Sequence, residues 1–303
     1  MSNLHIPRAH HAQELTKALG GHWYGTQGLA FCPAHPNKNT PALSLKQGDD
    51  GRLLAYCHSG CSFEAVMAAL KARGFDTQDF GRDLDPILSA QRAALRMTET
   101  EKRARQARAI WDAGVTIEGS PAESYLRGRG ITCGLPDTLR FVRECWHPTG
   151  KRLPAMIARI DGAQSFAVHR TYLMPSDTYY RKAQVNPAKA MLGSVAGGGV
   201  RVTNGPGPLV IAEGIETALS LASGLLDYPA RICAALSTSG MKGLSLPSTP
   251  GELVIAIDGD DAGKLAAHKL AERATFNGWK VSLAKAPDGL DWNDVLMTQK
   301  AGM

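Results

Sequence analysis

The last third of the chain alternates between short apolar runs and helix-forming segments, and this alternation limits the possible folds more than any other feature. Four runs are typical of buried strands, "LVIA", "RICAALS", "ELVIAID" and "KVSLAKA", and the segments that separate or follow them are typical of helices. Strands that are apolar along their whole length are covered on both faces, as in parallel sheets with helices on each side. Residues 204–303 are therefore predicted to form a doubly wound, mostly parallel sheet.

Acidic side chains stand where two of these strands end. "LVIAEG" ends on Glu213, and "VIAIDGD" ends on Asp258, with Asp260 two residues further on. Ligands of such sheets bind outside the carboxyl ends of the strands. If the two strands are neighbours, the three carboxylates meet at one edge, and carboxylate oxygens suit Mg²⁺ or Mn²⁺. The sequence thus predicts a divalent metal site at this edge.

A third acidic stretch, "DGLDWNDVL", follows the last strand. It contains Asp291, Asn293 and Asp294. We expect Asp291 to join the Mg²⁺ or Mn²⁺ ligands, whereas Asp294 is equally well explained as a cap of the last helix.

Cysteine and histidine residues near the N-terminus have the spacing of a metal site. "CPAH" supplies Cys32 and His35, and "CHSGC" supplies Cys57 and Cys61. Zinc prefers four nitrogen or sulfur ligands, and a closed set of three cysteines and one histidine is typical of a structural ion. His58 is a possible competing ligand, because three residues rather than two separate the second pair of cysteines. We predict that the short β-segments of this region fold around a structural zinc ion.

Aromatic residues surround these zinc ligands in the sequence. They are Trp23, Tyr24, Phe31 and Tyr56. Such rings can stack on unpaired bases. Packing beside a small zinc unit explains them equally well.

Composition shifts divide the chain into four predicted segments. Residues 1–85 hold the zinc site, and residues 86–113 are Ala- and Arg-rich, as expected of a basic connecting helix. Residues 114–203 are predicted to form a mixed α+β unit, and residues 204–303 contain the parallel sheet.

The charge of the chain favours a polyanionic partner. The net charge is +6 and the pI is about 9.0, which favours nucleic acid and binding that weakens with salt. No apolar run approaches the ~20 residues needed to cross a bilayer, and the N-terminus lacks the apolar core of a signal peptide. We therefore expect a cytoplasmic protein without a membrane partner.

Several of these motifs resemble those of a known family. "AEGIETALS", "IDGDDAG" and "DWNDVL" resemble the three signatures of a TOPRIM domain, and the Cys/His set resembles the zinc ribbon of bacterial-type primases. The order of zinc ribbon, middle unit and TOPRIM domain is similar to that of primases encoded by phages, plasmids and other mobile elements. The resemblance implies an α/β chain with an N-terminal zinc ribbon, a mixed α+β middle unit and a C-terminal TOPRIM domain with a doubly wound, mostly parallel sheet.

The resemblance also implies roles for individual residues. The catalytic metal-binding acids would be Glu213, Asp258 and Asp260, and the residues that bind nucleotide and nucleic acid would be Arg170, Lys182 and Lys189. Glu213 could hold a metal ion or act as a general base.

The sequence departs from the family pattern at two positions. Thr217 stands where the replicative bacterial enzymes place an aspartate, and Asn293 occupies a position that is often acidic. The number of catalytic metal ions is therefore left open.

The expected activity is DNA primase activity, the synthesis of short RNA primers by metal-dependent nucleotidyl transfer. Its partners would be a single-stranded DNA template and nucleoside triphosphates, with a replicative helicase on a separate chain as a candidate. One alternative is a non-catalytic DNA-binding protein similar to recombination mediators, and another is a TOPRIM nuclease or topoisomerase. The mediators lack a middle unit like residues 114–203, and "GDDAGKL" lacks the phosphate-binding loop spacing of the ATPase that accompanies the related nucleases.

Overall fold

The computed structural model describes residues 11–36, 40–48, 53–75 and 86–302. The chain divides into two compact units, Met1–Thr98 and Glu99–Met303. Helix α3, Pro86–Asp112, is continuous through the point of division. The segment boundaries predicted above remain predictions.

The first unit contains a small antiparallel sheet and two helices around one apolar core. In chain order the elements are α1 (His11–Ala18), β1 (His22–Trp23), β2 (Gly28–Ala30), β3 (Leu43–Gln47), β4 (Leu53–Cys57) and α2 (Phe63–Ala72). The strands lie in the order β1-β2-β3-β4. Ser62 caps α2, because its hydroxyl accepts a hydrogen bond from the backbone N–H of Ala65 at 3.2 Å. The core includes Leu15, Leu43 and Leu70.

The first half of the second unit is an antiparallel sheet with a helix on each face, one of them the C-terminal part of α3. Its elements are β5 (Val115–Thr116), α4 (Pro121–Gly128), β6 (Leu139–Trp146), β7 (Arg152–Ile160), β8 (Ala167–Met174), β9 (Arg181–Lys182) and β10 (Lys189–Leu192). The strands lie in the order β10-β8-β7-β6-β5, and β9 also pairs with β8. Strand β8 is buried along almost its whole length, so its side chains face apolar cores on both sides of the sheet.

The second half of this unit is the predicted parallel sheet. Its elements are β11 (Val200–Arg201), β12 (Leu209–Ala212), α5 (Ile215–Ser220), a π-helical turn (Leu221–Leu225), β13 (Arg231–Ala234), α6 (Thr238–Gly243), β14 (Glu252–Ile257), α7 (Asp261–Phe276), β15 (Lys280–Lys285) and α8 (Trp292–Ala301). The strand order is β11-β13-β12-β14-β15, and only β11 runs antiparallel to its neighbour.

Burial in β12 shows why its sequence is apolar throughout. Leu209 and Ile211 belong to the core under α6 and α7, whereas Val210 and Ala212 belong to the core on the other face of the sheet. That second core also contains Met156 and other residues of the antiparallel sheet, so the two halves share it. The predicted fold class, a mixed middle unit followed by a doubly wound sheet, is confirmed.

In the part of the chain that the structure describes, none of the helices combines the length and the apolar character needed to span a membrane.

Candidate catalytic and metal sites

The two strands that end on acids are neighbours. Strands β12 and β14 pair in parallel with Leu209 opposite Leu253, so their carboxyl ends lie at the same edge of the sheet. Glu213 comes directly after β12, and Asp258 comes directly after β14. The sheet therefore brings these two acids to one edge, as the sequence analysis required.

Asp260 is at the same edge and also begins a helix. Its Oδ1 accepts a hydrogen bond of 2.6 Å from the backbone N–H of Gly263, which makes it the N-cap of α7. A Cβ atom at Gly263 would lie 2.9 Å from this Oδ1 and 3.7 Å from Oε2 of Glu213. Both carboxylates thus lie beside the first turn of α7, where the absence of a side chain at Gly263 leaves room for them.

The pKa values of Asp258 and Glu213 are both raised. Burial raises the pKa of Asp258 to about 6, and the charges of Asp291, Glu213 and Asp260 add to this effect, while the backbone N–H of Trp292 opposes it. Burial and the charge of Asp260 also raise the pKa of Glu213. A bound cation would favour the ionised forms of both Asp258 and Glu213.

The donor set fits a divalent cation. Oδ1 of Asp258 is buried and has no hydrogen-bond partner, so it is an unused oxygen at the edge of the sheet. These carboxylate oxygens are farther apart than the ligand atoms of the Cys/His group described below. Among the described residues, that group is the one whose ligand atoms all lie within 4.8 Å of one another. Mg²⁺ tolerates this arrangement, because it usually keeps several waters and uses one or two carboxylates.

Asp291 has a structural partner already. It is the N-cap of α8 and accepts a hydrogen bond of 2.8 Å from the backbone N–H of Asp294, whose own carboxylate accepts one of 3.1 Å from the N–H of Asp291. The two residues therefore form a capping box. Its charge still reaches the site, since it raises the pKa of Asp258.

Asn293 points into the protein rather than toward the acids. Its amide donates to the carbonyl of Arg129 at 2.8 Å and to the hydroxyl of Ser220 at 2.9 Å. This residue therefore joins α8 to the neighbouring elements.

Lys182 and Lys189 lie on the face of the antiparallel sheet that packs against the parallel one. Lys189 pairs with Thr171, and Lys182 pairs with Leu173, two positions further along β8. Leu173 belongs to the core that both sheets share. The charge of Lys189 offsets part of the rise in the pKa of Glu213, so Lys189 is within electrostatic reach of the acidic edge.

Arg170 lies on the opposite face of the same strand. Its guanidinium donates to the carbonyl of Trp146 at 2.9 Å and to that of Met191 at 3.4 Å, and the side chain is buried. The sheet therefore separates Arg170 from Lys182 and Lys189. This placement gives no support to the predicted nucleotide-binding role of Arg170, which stays a prediction.

Three residues that the sequence analysis did not select lie beside these lysines. Glu216 is buried in α5, and its carboxylate accepts hydrogen bonds from Nζ of Lys189 at 3.0 Å and from the hydroxyl of Tyr125 at 2.7 Å. Arg129 acts on the pKa of both Tyr125 and Lys182. The available signal for Glu216 was an isolated charge among the apolar residues of "GIETALS".

The lysines keep Glu216 ionised. Burial acts to raise its pKa, but Lys189, Lys182 and the Tyr125 hydroxyl together hold the pKa well below the usual range. Burial and the nearby Glu216 charge raise the pKa of Tyr125, so the phenol stays protonated and donates. Lys182 has a lowered pKa, because it is partly buried and lies near Lys189.

The first unit contains the predicted zinc ligands as one group. The ligand atoms of Cys32, His35, Cys57 and Cys61 all lie within 4.8 Å of one another. Nδ1 of His35 is 3.1 Å from Sγ of Cys61 and 3.7 Å from Sγ of Cys57. His58 is not in the group, because its Nε2 bonds to the hydroxyl of Ser44 at 2.8 Å.

This group fits a structural zinc ion. Burial, together with the neighbouring thiols, raises the pKa of Cys32 to about 11, so the sulfurs need a cation in order to ionise together. Three thiols and one imidazole form the closed four-ligand set that zinc prefers.

The aromatic residues near the zinc group differ in exposure. Trp23 packs against the core of the first unit, whereas Tyr24 and Tyr56 are 61% and 67% exposed. The two tyrosines are therefore the candidates for base stacking, and that role stays a prediction.

Two family models match the second unit. Residues 101–202 match a domain of unknown function, DUF7146, and residues 208–301 match the Toprim domain. No curated protein is significantly similar to the chain.

The chain is also similar to solved primase structures. One contains the zinc-binding and RNA polymerase domains of the Aquifex aeolicus primase, with 14% identity and a TM-score of 0.39 over 98% of this chain and 81% of that one. The RNA polymerase domain of the Mycobacterium tuberculosis primase has 16% identity and a TM-score of 0.40 over 67% of this chain and 79% of that one. A DNA primase domain from Pseudomonas aeruginosa has 18% identity and a TM-score of 0.36, with coverage of 67% and 74%.

The identities and TM-scores of these structures are low, whereas the Toprim match covers the strand ends of the site. The match over 208–301 contains the parallel sheet, both strand ends that carry Glu213 and Asp258, and the Asp260 cap. Residues 208–301 of this chain are a TOPRIM domain.

Proposed function

We propose that this protein is a DNA primase that synthesises short RNA primers on single-stranded DNA, in the replication of a phage, plasmid or other mobile element. The observation that supports the proposal is that Lys182 and Lys189 lie on the sheet face that packs against the parallel half, where the charge of Lys189 acts on Glu213 and that of Asp291 acts on Lys182. A site with carboxylates on one side and ammonium groups on the other suits a triphosphate with its metal ion.

In this proposal each group of residues has a separate task. Asp258 and Asp260 would hold Mg²⁺ or Mn²⁺, and Glu213 would either hold metal as well or accept a proton. Bound there, the ion stabilises the charge on the attacking and leaving oxygens. Lys182 and Lys189 would neutralise the phosphates of the incoming nucleotide.

The reaction itself is one nucleotidyl transfer. The 3′-hydroxyl oxygen of the growing primer forms a bond to the α-phosphorus, the bond from that phosphorus to the bridging oxygen breaks, and pyrophosphate leaves. The hydroxyl proton passes to Glu213 or to solvent. The raised pKa of Glu213 suits such a base, because an acid with a higher pKa accepts a proton more readily.

The remaining parts of the chain would serve the template. The net charge of +6 favours single-stranded DNA, and the exposed Tyr24 and Tyr56 offer rings on which its bases could stack. The Cys/His group would hold zinc and fold the unit that carries these tyrosines.

The experiment is a primer synthesis assay with a matched control. Zinc-loaded protein is incubated with single-stranded template, nucleoside triphosphates and Mg²⁺ or Mn²⁺, and labelled RNA products are separated by length. Asp258→Ala should reduce product formation at least about 10²-fold, since the main candidate ligand is lost. Asp261→Ala is the control, because Asp261 is in the same motif but its side chain is fully exposed.

The same assay can reject the proposal. It is wrong if the wild-type protein makes no primers, or if Asp258→Ala makes as many as the wild type. Metal-dependent cleavage of the template would favour the nuclease alternative. Salt-dependent DNA binding that is indifferent to Mg²⁺ and to Asp260→Ala would favour the non-catalytic alternative.

A further inference from the structure

Glu216 lies next to Lys189, on the basic side of the proposed site. Its hydrogen bonds go to Lys189 and Tyr125 and not to the acids Glu213, Asp258 and Asp260. Only 6% of the residue is exposed, and its two oxygens accept from Lys189 and Tyr125. The side chain of Lys189 is 35% exposed, so its ammonium group joins a buried anion to the solvent-accessible site.

A buried carboxylate at this position is not explained by stability. Its neighbours in α5, Ile215, Ala218 and Leu219, are buried and apolar. Replacing a buried ion pair by apolar residues of similar size is often neutral or stabilising, because desolvation of the charges offsets their attraction. We therefore expect Glu216 to matter because it fixes the positions of its partners, Lys189 and Tyr125.

The geometry points to a positioning role. We propose that Glu216 is a positioning residue for a polyphosphate-binding site, in which it holds the ammonium groups of Lys189 and Lys182 toward the acidic edge for the β- and γ-phosphates of a nucleoside triphosphate. This inference rests on the proposed function and adds to it a residue that need not touch the nucleotide.

Hydrogen-bonding capacity supports this role. An ammonium group has three N–H donors, and Glu216 uses one of those of Lys189 at 3.0 Å. The remaining donors are available to phosphate oxygens. Tyr125 fixes the other oxygen of Glu216 at 2.7 Å, so the carboxylate cannot easily turn away from Lys189.

Glu216 also keeps Lys189 from a competing partner. The charge of Lys189 already offsets part of the rise in the pKa of Glu213, so this acid is within its electrostatic reach. Without Glu216, the ammonium group would pair with Glu213, and the site would lose a phosphate donor and a metal ligand together. In addition, Glu216 is the anion on which the charges of both Lys182 and Lys189 act, and these two like charges repel each other.

The test measures polyphosphate binding, which needs no primer synthesis. Binding of inorganic pyrophosphate and of ATP, each with Mg²⁺, is measured by titration calorimetry on the zinc-loaded chain of residues 1–303. Glu216→Gln should weaken binding about 10- to 100-fold, the range for a lost hydrogen bond to a charged group. The matched control Glu252→Gln should bind within about twofold of wild type, because Glu252 pairs with Lys280 at 2.8 Å at the opposite end of the same sheet.

A double-mutant cycle separates positioning from general damage. If Glu216 acts through Lys189, Glu216→Gln adds little to the effect of Lys189→Gln. In primer synthesis, Glu216→Gln should raise KM for nucleotide more than it lowers kcat, and Glu216→Asp should restore part of the affinity. Tyr125→Phe keeps the charge of Glu216 but removes its hydrogen bond from the Tyr125 hydroxyl, and it should weaken pyrophosphate binding a few-fold. This variant replaces Glu216→Gln in the test if Glu216→Gln does not fold.

The outcomes distinguish this inference from the primase proposal. The inference is overturned if folded Glu216→Gln binds pyrophosphate as tightly as Glu252→Gln, if its effect multiplies with that of Lys189→Gln, or if the wild type binds no polyphosphate. Weakened pyrophosphate binding in a protein that makes no primers would support the inference and reject the primase function. If the wild type makes primers and Glu216→Gln binds pyrophosphate with unchanged affinity, the primase function is supported and the inference about Glu216 is rejected.

Discussion

The hydroxyl of Thr217 lies 3.5 Å from Oδ2 of Asp258. Thr217 is buried and stands where the TOPRIM resemblance expects an aspartate, so a neutral group takes the place of a carboxylate next to the main metal candidate. The other oxygen of Asp258 has no partner. A carboxylate introduced at Thr217 would therefore lie next to Asp258 and add a ligand for a divalent metal ion.

The first prediction concerns this position. Thr217→Asp should lower the free energy of unfolding by about 2 kcal/mol without divalent ions, because it buries a second carboxylate beside Asp258. Added Mn²⁺ should recover the lost stability and raise the melting temperature of the variant more than that of the wild type. Thermal unfolding at a series of Mn²⁺ concentrations measures this, with Thr217→Val as the control. An equal Mn²⁺ shift in all three proteins would contradict it.

The second prediction separates the two possible tasks of Asp291. Asp291→Ser keeps a good N-cap of α8 and should cost less than about 0.5 kcal/mol, whereas Asp291→Ala should cost about 1 kcal/mol. If Asp291 also binds metal, both variants should bind Mn²⁺ more weakly by a similar factor. Urea unfolding gives the stabilities, and paramagnetic broadening or calorimetry gives the Mn²⁺ affinities. If Asp291→Ser binds Mn²⁺ as tightly as the wild type does, Asp291 is an N-cap of α8 and not a metal ligand.

The third prediction concerns pH and the buried His169. Burial, followed by the charge of Lys189, lowers the pKa of His169 to about 4, and Glu216, Arg170 and Lys182 also act on it. In the unfolded chain its pKa is about 6.5, so between these values the unfolded state binds the proton and the folded state does not. Stability from this residue is complete above about pH 6.5 and is lost as the pH falls toward 4.

His169→Gln should remove this acid sensitivity. From pH 7.5 to pH 5, the wild type should lose about 2 kcal/mol more free energy of unfolding than the variant does. Urea unfolding followed by tryptophan fluorescence at the two pH values measures the difference, and any effect of acid on the zinc unit is common to both proteins. Equal losses would show that His169 is protonated in the folded state.

The fourth prediction concerns zinc. His35→Ala should lose tight zinc binding, because it removes one of four grouped ligands, whereas His58→Ala should keep it, because His58 bonds to Ser44 instead. Zinc content after dialysis measures this. Hydrogen exchange should show that β3 loses protection in His35→Ala while β14 does not, since the first unit has its own core. Zinc retained by His35→Ala would contradict the ligand assignment.

Features that depend on local pattern could be predicted from the sequence. The strand–helix alternation indicated the parallel sheet, and the acids at the ends of two apolar runs indicated that Glu213 and Asp258 would meet there. That meeting required β12 and β14 to be neighbours, and the sheet order provides this. The spacing of Cys32, His35, Cys57 and Cys61 indicated a four-ligand group in the same way.

Features that depend on sheet face could not be predicted. Strand β8 is buried on both sides, so its sequence has no polar–apolar alternation to show which residues face the TOPRIM half. Arg170 and Thr171 are adjacent in the chain but lie on opposite faces, and only the pairing of β8 with β9 and β10 puts Lys182 and Lys189 on the face of Thr171. A shift of one residue in that pairing would reverse the assignment.

By itself, the sequence determined the kinds of unit and the chemistry of their ligands, because helical and strand periodicity and the identities of metal-binding side chains are properties of short segments. The tertiary structure decided which charges share a site. It paired Lys189 with the buried Glu216 and turned Arg170 toward backbone carbonyls. These contacts join segments far apart in the chain, and their strength depends on burial and distance, which arise only when the sheets pack together.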